Sequence, residues 1–223
     1  MLVNPLLALT SATLALASPA RSHGQSSSCG YGNSMPILPV NGGPSELPAP
    51  ARDVTLKHIA LGFGIQNYSC TDAGATPVAT GALAVLYDVT FLYPVPLNRT
   101  ENGGASPTNP FPKKKALEVK SLSKNIPYLG HHFFSTAGIP TFDLDPVNQL
   151  LIAKKINGIK APASAPTGPG GTSAVDWLYL GDAGGSHGVS LAYRVLTAGG
   201  SSYSCKGKGI DSISYTAYYW FYG

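Results

Sequence analysis

The sequence predicts an all-β protein, in which a single domain forms an antiparallel β-sandwich or a barrel-like sheet with long Pro/Gly/Ser-rich loops. Residues 175–223 contain three runs of aromatic and β-branched residues, separated by Gly, Ser and Asp. The 26 Gly and 19 Pro favour turns over helices. Charged residues make up 12% of the chain, about half of the usual share. These features indicate many strands joined by turns around a substantial core.

The first 17 residues carry no charged side chain and end in Ala15-Leu16-Ala17, a small-x-small cleavage pattern. We expect residues 1–17 to be a signal peptide, with a buried N-terminal helix as the alternative. The apolar run is shorter than the ~20 residues that span a bilayer, and no second run is long enough. Residues 18–53 are predicted to be an extended or flexible leader, and residues 54–223 the β domain of a secreted, extracellular protein.

The first strand of the β domain is predicted at about residues 54–70. One of its faces is apolar and contains Ile59, Leu61, Phe63 and Ile65. The opposite face contains Gly62 and Gly64, which indicate a bulge or a close approach by another element. In residues 81–93 a short helix competes with a buried strand, and strand is favoured from Val85 onward.

Further strands follow in the second half of the chain. They are predicted at residues 117–122, 128–134, 139–143 and 149–156, followed by the three runs near the end. The total is about eight to ten. The last run alternates between one face with Ile213, Tyr215, Ala217, Tyr219 and Phe221 and another with Ser214, Thr216, Tyr218, Trp220 and Tyr222. We expect this last strand to be paired deep in a sheet.

The aromatic residues of the last strands are the candidate binding residues. Tyr218, Trp220 and Tyr222 share one strand face, and Trp177 opens an earlier strand. Such rings stack on sugars when they are exposed. If a second layer covers the face, the same rings belong to the core.

Three cysteines, Cys29, Cys70 and Cys205, allow one disulfide in an exported chain and leave one thiol over. Three pairings are possible, and Cys70 with Cys205 is favoured because both flank predicted core strands. No two cysteines have metal-ligand spacing, so no metal site is expected on them. The two glycosylation sequons begin at Asn67, in a predicted strand, and at Asn98, in a polar loop.

The candidates for catalysis are His131, Asp143, Asp145, Asp176 and His187. These side chains would have to converge from separate segments, as acid/base pairs or metal ligands. His131 and His132 point to opposite faces of a strand, so the two cannot readily chelate one ion. The alternative is one packed histidine and one surface histidine.

Several function classes lack their sequence signals. The chain contains no Gly-x-Ser-x-Gly element, no dinucleotide fingerprint and no phosphate-binding loop. We therefore expect no nucleotide cofactor and assign no cofactor of another kind. The lysine clusters at residues 113–115 and 154–155 are too small for a nucleic-acid interface.

A set of segments occurs in a distinctive order along the chain. They are Leu61–Cys70, Leu86–Asp88, Gly130–Phe133, Pro140–Asp143, Asp176–Leu178, Arg194–Gly200, Cys205 and Ser214–Tyr222. This order resembles the domain-of-unknown-function family numbered 3455, common in filamentous fungi, over about residues 54–223. The resemblance implies an exported, largely β protein and transfers no catalytic residue. Fungal members often bear the name malate dehydrogenase, which this sequence does not support.

These observations predict a secreted, non-catalytic β domain that acts at the cell wall or at a host surface. Carbohydrate binding is its most concrete form, with a cell-wall polysaccharide or a host surface component as partner. One alternative is a small extracellular hydrolase or metal-dependent enzyme with a His/Asp site. Another is an apoplastic effector that a host recognises through loops such as residues 97–115.

Overall fold

A computed structural model describes residues 36–93 and 126–223 of the protein. In this part of the chain eight antiparallel strands form a closed barrel, and each strand pairs with the next in sequence. The strands are β1 (Leu56–Cys70), β2 (Val78–Asp88), β3 (Tyr128–Phe134), β4 (Pro140–Leu144), β5 (Gln149–Ile159), β6 (Trp177–Asp182), β7 (Leu191–Gly199) and β8 (Gly209–Tyr222). The all-β prediction is confirmed, and its barrel-like form is the one adopted.

The barrel closes through its two longest strands, β1 and β8. Their pairing runs from Leu56 opposite Tyr222 to Cys70 opposite Gly209. β8 pairs with β7 on its other side, so the prediction that the last strand lies deep in a sheet is confirmed. Closure pairs the edges that an open sheet would expose.

One set of alternating side chains points into the barrel interior. Phe142 on β4 contacts Tyr219 and Phe221 on β8, with ring centroids 5.3 Å apart in both pairs. β4 and β8 lie on opposite sides of the ring of strands, so these contacts cross the interior. Leu86, Leu129, Leu144 and Leu151 are also fully buried in this inner cluster.

The other set forms a second apolar cluster on the outer surface of the barrel. It contains Ile59, Leu61, Val89, Trp177, Leu191, Tyr193, Val195, Tyr218, Trp220 and Tyr222. Leu38, Leu47 and Val54, from the segment before β1, pack against it. The Tyr193 hydroxyl donates to the Pro48 carbonyl over 2.8 Å, which ties this segment to the barrel wall. Both faces of β8 are therefore buried from Ala217 to Tyr222.

β2 differs from its prediction. It begins at Val78 rather than Val85 and ends at Asp88, before a 3₁₀ turn at Thr90–Leu92. Residues 78–80 are exposed and lack an apolar pattern, yet β1 extends beside them and pairs with them. Backbone pairing, which side-chain patterns do not report, sets this boundary.

Other expectations for the chain have mixed outcomes. The disulfide between Cys70 and Cys205 is confirmed, and it joins the end of β1 to the β7–β8 loop. The strand predicted at residues 117–122, the sequon at Asn98 and Cys29 lie outside the described residues. Within the described residues no helix is long and apolar enough to cross a bilayer.

Candidate functional site: a cavity in the barrel

A cavity of about 530 Å³ lies inside one end of the barrel. Every strand contributes to its wall: Gln66 and Tyr68 from β1, Ala79 from β2, His132 and Phe134 from β3, Pro140 and Phe142 from β4, Lys155 from β5, Leu178 and Leu180 from β6, Arg194 from β7 and Tyr219 from β8. Contributions from all eight strands place the cavity in the lumen rather than on the outer surface. A barrel of eight strands is just wide enough to hold one small ligand.

The cavity has a buried end, called the floor below, and an exposed end, called the rim. Its floor includes His132, Phe142 and Tyr219, which are all buried. Its rim includes Lys155 and Lys160, which are exposed, and the half-buried Ser201 and Ser202 of the β7–β8 loop. The other end of the lumen is filled by the leucines of the inner cluster. The lumen is therefore a pocket with one mouth.

Glycine on β1 makes room for the floor. A Cβ atom at Gly62 would lie 2.7 Å from Cε2 of Tyr219 and 3.1 Å from Cδ2 of Leu86. The close approach predicted from the two glycines of β1 is thus confirmed, and at Gly62 the approaching element is the Tyr219 ring.

The guanidinium of Arg194 is the buried cation of the lumen. Arg194 is 9% exposed, and its Nε and Nη2 donate to the Asp176 carbonyl over 3.1 and 2.9 Å. No carboxylate in residues 36–93 and 126–223 lies within 4.0 Å of the guanidinium. Because burying a charge without an opposite charge is costly, this group calls for a functional explanation.

His132 lies on the floor as a neutral ring. Its Nδ1 is 2.9 Å from the Thr141 carbonyl, to which it can only donate, and its ring stacks on Phe142 at 4.1 Å. Burial lowers the pKa of His132 to about 4, with a smaller contribution from the charge of Arg194. The Nε2 atom of the neutral ring is then a hydrogen-bond acceptor.

The other polar groups of the lumen have partners within the barrel. The Tyr215 and Tyr219 hydroxyls lie 2.8 Å apart, and burial raises the pKa of both. The Gln66 amide donates to the Gly81 carbonyl over 2.6 Å, and the Tyr68 hydroxyl donates to Gly200 over 2.7 Å. These bonds hold the polar wall in one arrangement.

The charges of the lumen are predominantly positive. Lys155, Lys160 and Arg194 line it together with one carboxylate, that of Asp176. Lys160 lies 3.1 Å from Asp176, and its side chain is 90% exposed. The cavity therefore favours a ligand with negative charge.

The family comparison covers the whole barrel. A family model described as "Protein of unknown function (DUF3455)" matches residues 50–223. The chain belongs to this family. The match includes all eight strands and every residue of the cavity, so the lumen is part of the DUF3455 domain. No match was found among curated proteins or among solved structures.

The DUF3455 barrel does not bring the five predicted catalytic residues together. His131 pairs across the sheet with Asp143, and the Tyr128 hydroxyl lies 2.7 Å from His131 Nδ1 and 3.2 Å from Asp145. These groups lie outside the lumen, because the inward-facing positions of β3 and β4 are those of His132 and Phe142.

The two remaining candidates lie elsewhere. Asp176 is at the cavity rim, while the backbone of His187 pairs with Leu150 in the β6–β7 connection. In the described part of the chain, no group of three His, Cys, Asp or Glu side chains could hold a metal ion.

The predicted aromatic platform lies in the outer cluster of the DUF3455 domain. Trp177, Tyr218, Trp220 and Tyr222 are exposed by 2%, 8%, 0% and 6%. Tyr93 contacts the rings of Tyr218 and Trp220 edge-on. A stacking surface needs an exposed ring face. These four rings are covered and belong to the core, which was the alternative prediction for them.

The sequon asparagine within the described residues is Asn67, which is half-buried on the outer side of β1. Its side-chain oxygen accepts a hydrogen bond from Ser212 over 2.7 Å. A glycan at Asn67 would therefore have to replace this contact.

Sequence reasoning missed Arg194 as a functional residue. The signal was a lone arginine within the apolar run Leu191–Val195, at a position that shares its face with Ala192. An arginine is rarely fully buried unless it is paired. An arginine in a predicted core strand is therefore as good a candidate for a functional residue as the histidines.

Proposed function

We propose that this DUF3455 domain is a non-catalytic binding protein that holds one small molecule in its barrel lumen. The observation that carries the proposal is a cavity of about 530 Å³ with wall residues from all eight strands. Its volume lies within the roughly 300–1,000 Å³ of typical ligand sites. Its wall is mainly apolar and aromatic with a few converging polar groups, which is the usual composition of such a site.

Binding is favoured over hydrolysis by the position of the acid and base candidates. His131, Asp143 and Asp145 lie on the outside of the barrel, where a ligand in the lumen cannot reach them. The lumen histidine, His132, is neutral and is held by the Thr141 carbonyl. This arrangement suits a fixed wall rather than a proton-transfer site.

We further propose that the protein acts outside the cell. The uncharged apolar segment at residues 1–17 and the disulfide between Cys70 and Cys205 support this location, because disulfides persist in oxidising compartments. A cell-wall polymer would contact the outer surface only, since a pocket with one mouth admits a small molecule more readily than a chain.

The test uses a neutral fluorescent probe, N-phenyl-1-naphthylamine, and the mature protein. Ala79→Trp would place a large ring at the mouth, at an exposed position that lines the cavity. Thr80→Trp, at the next exposed residue of β2, is the matched control. We expect saturable 1:1 binding to the unsubstituted protein and to the control, and at least about tenfold weaker binding to Ala79→Trp.

Two outcomes would refute a ligand site in the lumen. One is the absence of saturable binding by the unsubstituted protein. The other is equal binding by the Ala79→Trp and Thr80→Trp variants. A parallel pull-down on insoluble chitin and β-glucan tests the carbohydrate alternative, which selective retention would favour.

A further inference from the structure

We infer that the ligand of the lumen is a small organic carboxylate, whose head group pairs with Arg194 while its apolar body lies against the β3–β4 wall. This inference rests on the proposed function and adds the chemical class of the ligand.

The charge of Arg194 is not compensated by a carboxylate. The guanidinium is 9% exposed, and its described hydrogen-bond partners are the Asp176 backbone carbonyl and the Tyr219 hydroxyl. The nearest acidic residue, Asp176, directs its carboxylate to Lys160 at 3.1 Å. A buried cation that lacks an internal counter-ion gains most from an anionic ligand.

The hydrogen-bond donors of Arg194 are used on one edge of the guanidinium and are open to a ligand elsewhere. Nε and one N–H of Nη2 point at the single oxygen of the Asp176 carbonyl, so one edge of the guanidinium is used. Of the five N–H donors of an arginine, three are left, and the Tyr219 hydroxyl is a further hydrogen-bond partner of the Arg194 side chain. Two donors therefore remain for a ligand, as many as a carboxylate takes from a guanidinium.

The polarity of the lumen changes across its width. Arg194 is on β7, whereas Phe134 is on β3, which lies opposite β7 in a ring of eight strands. Phe134, Pro140 and Phe142 make most of the β3–β4 side of the cavity apolar, and His132 is the one polar side chain among the lining residues of these two strands. A ligand that spans the lumen therefore meets a cation at one side and aromatic rings at the other. An inorganic anion would leave the apolar side without a partner.

Charge at the mouth agrees with this orientation. Lys155 and Lys160 lie on the rim, and both are exposed. They attract an anion toward the mouth through solvent, where salt screens the attraction. Arg194 lies deeper and is screened less, so it is the group that distinguishes an acid from its neutral analogue.

The experiment compares matched acids and amides by isothermal titration calorimetry on the full mature protein. The probes are 3-phenylpropanoate with 3-phenylpropanamide, and octanoate with octanamide. We expect each acid to bind at least about tenfold more tightly than its amide. Equal affinities of acid and amide would overturn the inference without any variant being needed.

Variants then test whether Arg194 causes the preference for the acid over the amide. In Arg194→Gln we expect the acid and the amide to bind about equally, because the charge that distinguishes them is lost. Arg52→Gln, at an exposed arginine before β1, is the charge-matched control and should keep the preference. An unchanged preference in a folded Arg194→Gln variant would also overturn the inference.

The same data separate this inference from the proposed function. If the neutral probe binds, each acid binds as tightly as its amide, and Ala79→Trp weakens the binding of all of them, the lumen is a ligand site without a carboxylate preference. If neither probes nor acids bind, the proposed function itself fails.

Discussion

Gly62 on β1 and Tyr219 on β8 occupy the same space in the lumen: a Cβ atom on the glycine would lie 2.7 Å from Cε2 of the tyrosine ring. The two strands pair along the barrel seam, with Gly62 opposite Ala217. The absence of a side chain on β1 thus lets the Tyr219 ring form part of the cavity floor.

Gly62→Ala is therefore expected to destabilise the protein. The new methyl group forces the buried Tyr219 ring and Leu86 to shift, and such overpacking costs about 1–3 kcal/mol. Gly207→Ala is the matched control, because a Cβ there meets nothing within 4 Å. Urea unfolding of both variants measures the difference, and equal midpoints would contradict the packing at the seam.

The hydroxyl pair of Tyr215 and Tyr219 predicts a coupling between the two residues. Their oxygens are 2.8 Å apart and both side chains are buried. Tyr219→Phe leaves the Tyr215 hydroxyl without this partner, at a cost of about 1–3 kcal/mol. The double Phe variant should cost less than the sum of the single variants. Additive free energies of unfolding in the double-mutant cycle would show that no such bond is present.

His132 predicts a loss of stability on acidification. Its folded-state pKa is about 4, below the 6.5 that is usual for histidine, so the unfolded chain binds more protons between these pH values. Stability should be fully present above about pH 6.5 and fall as pH decreases toward 4, by about 3 kcal/mol from this group.

His132→Gln should flatten the pH dependence of the free energy of unfolding between pH 4 and 6.5. His131→Gln changes an exposed neighbouring histidine and should leave the slope unchanged. Burial raises the pKa of the Asp88 carboxyl, but its hydrogen bonds with His58 and Thr90 together lower it further, so the net shift is downward. This group adds an acid-range loss of stability to all variants. Identical slopes in the two histidine variants would mean that His132 is not held neutral.

The disulfide predicts both a stability effect and a binding effect. Cys70 and Cys205 are 135 positions apart, so the bond closes a long loop and should contribute about 2–5 kcal/mol. The Cys205 backbone also pairs with Gly74 and Ala75, in the same region as Ser201 and Ser202 of the rim. We expect a Cys70→Ser/Cys205→Ser variant to unfold at lower urea and to bind the naphthylamine probe more weakly. Because that variant lacks the disulfide, dithiothreitol should not lower its stability or its affinity for the probe any further.

Much of the strand pattern follows from local sequence. The alternation from Ser212 to Tyr222 identifies β8 and its two faces, because successive strand side chains point in opposite directions. Residues 128–134 were predicted as a strand and form β3. The start of β2 at Val78 could not be predicted in this way, since residues 78–80 are strand only because β1 lies beside them.

The sequence by itself determined that the chain is built of antiparallel strands and that Cys70 and Cys205 are the favoured pair. Only the tertiary structure decided that the strands close into a barrel, that Arg194 faces its lumen and that Trp220 lies beneath an outer layer. The physical reason is that alternation separates two faces of a strand without saying what covers each. Closure over eight strands brings Arg194, His132 and Tyr219 into one cavity, although they are far apart in sequence.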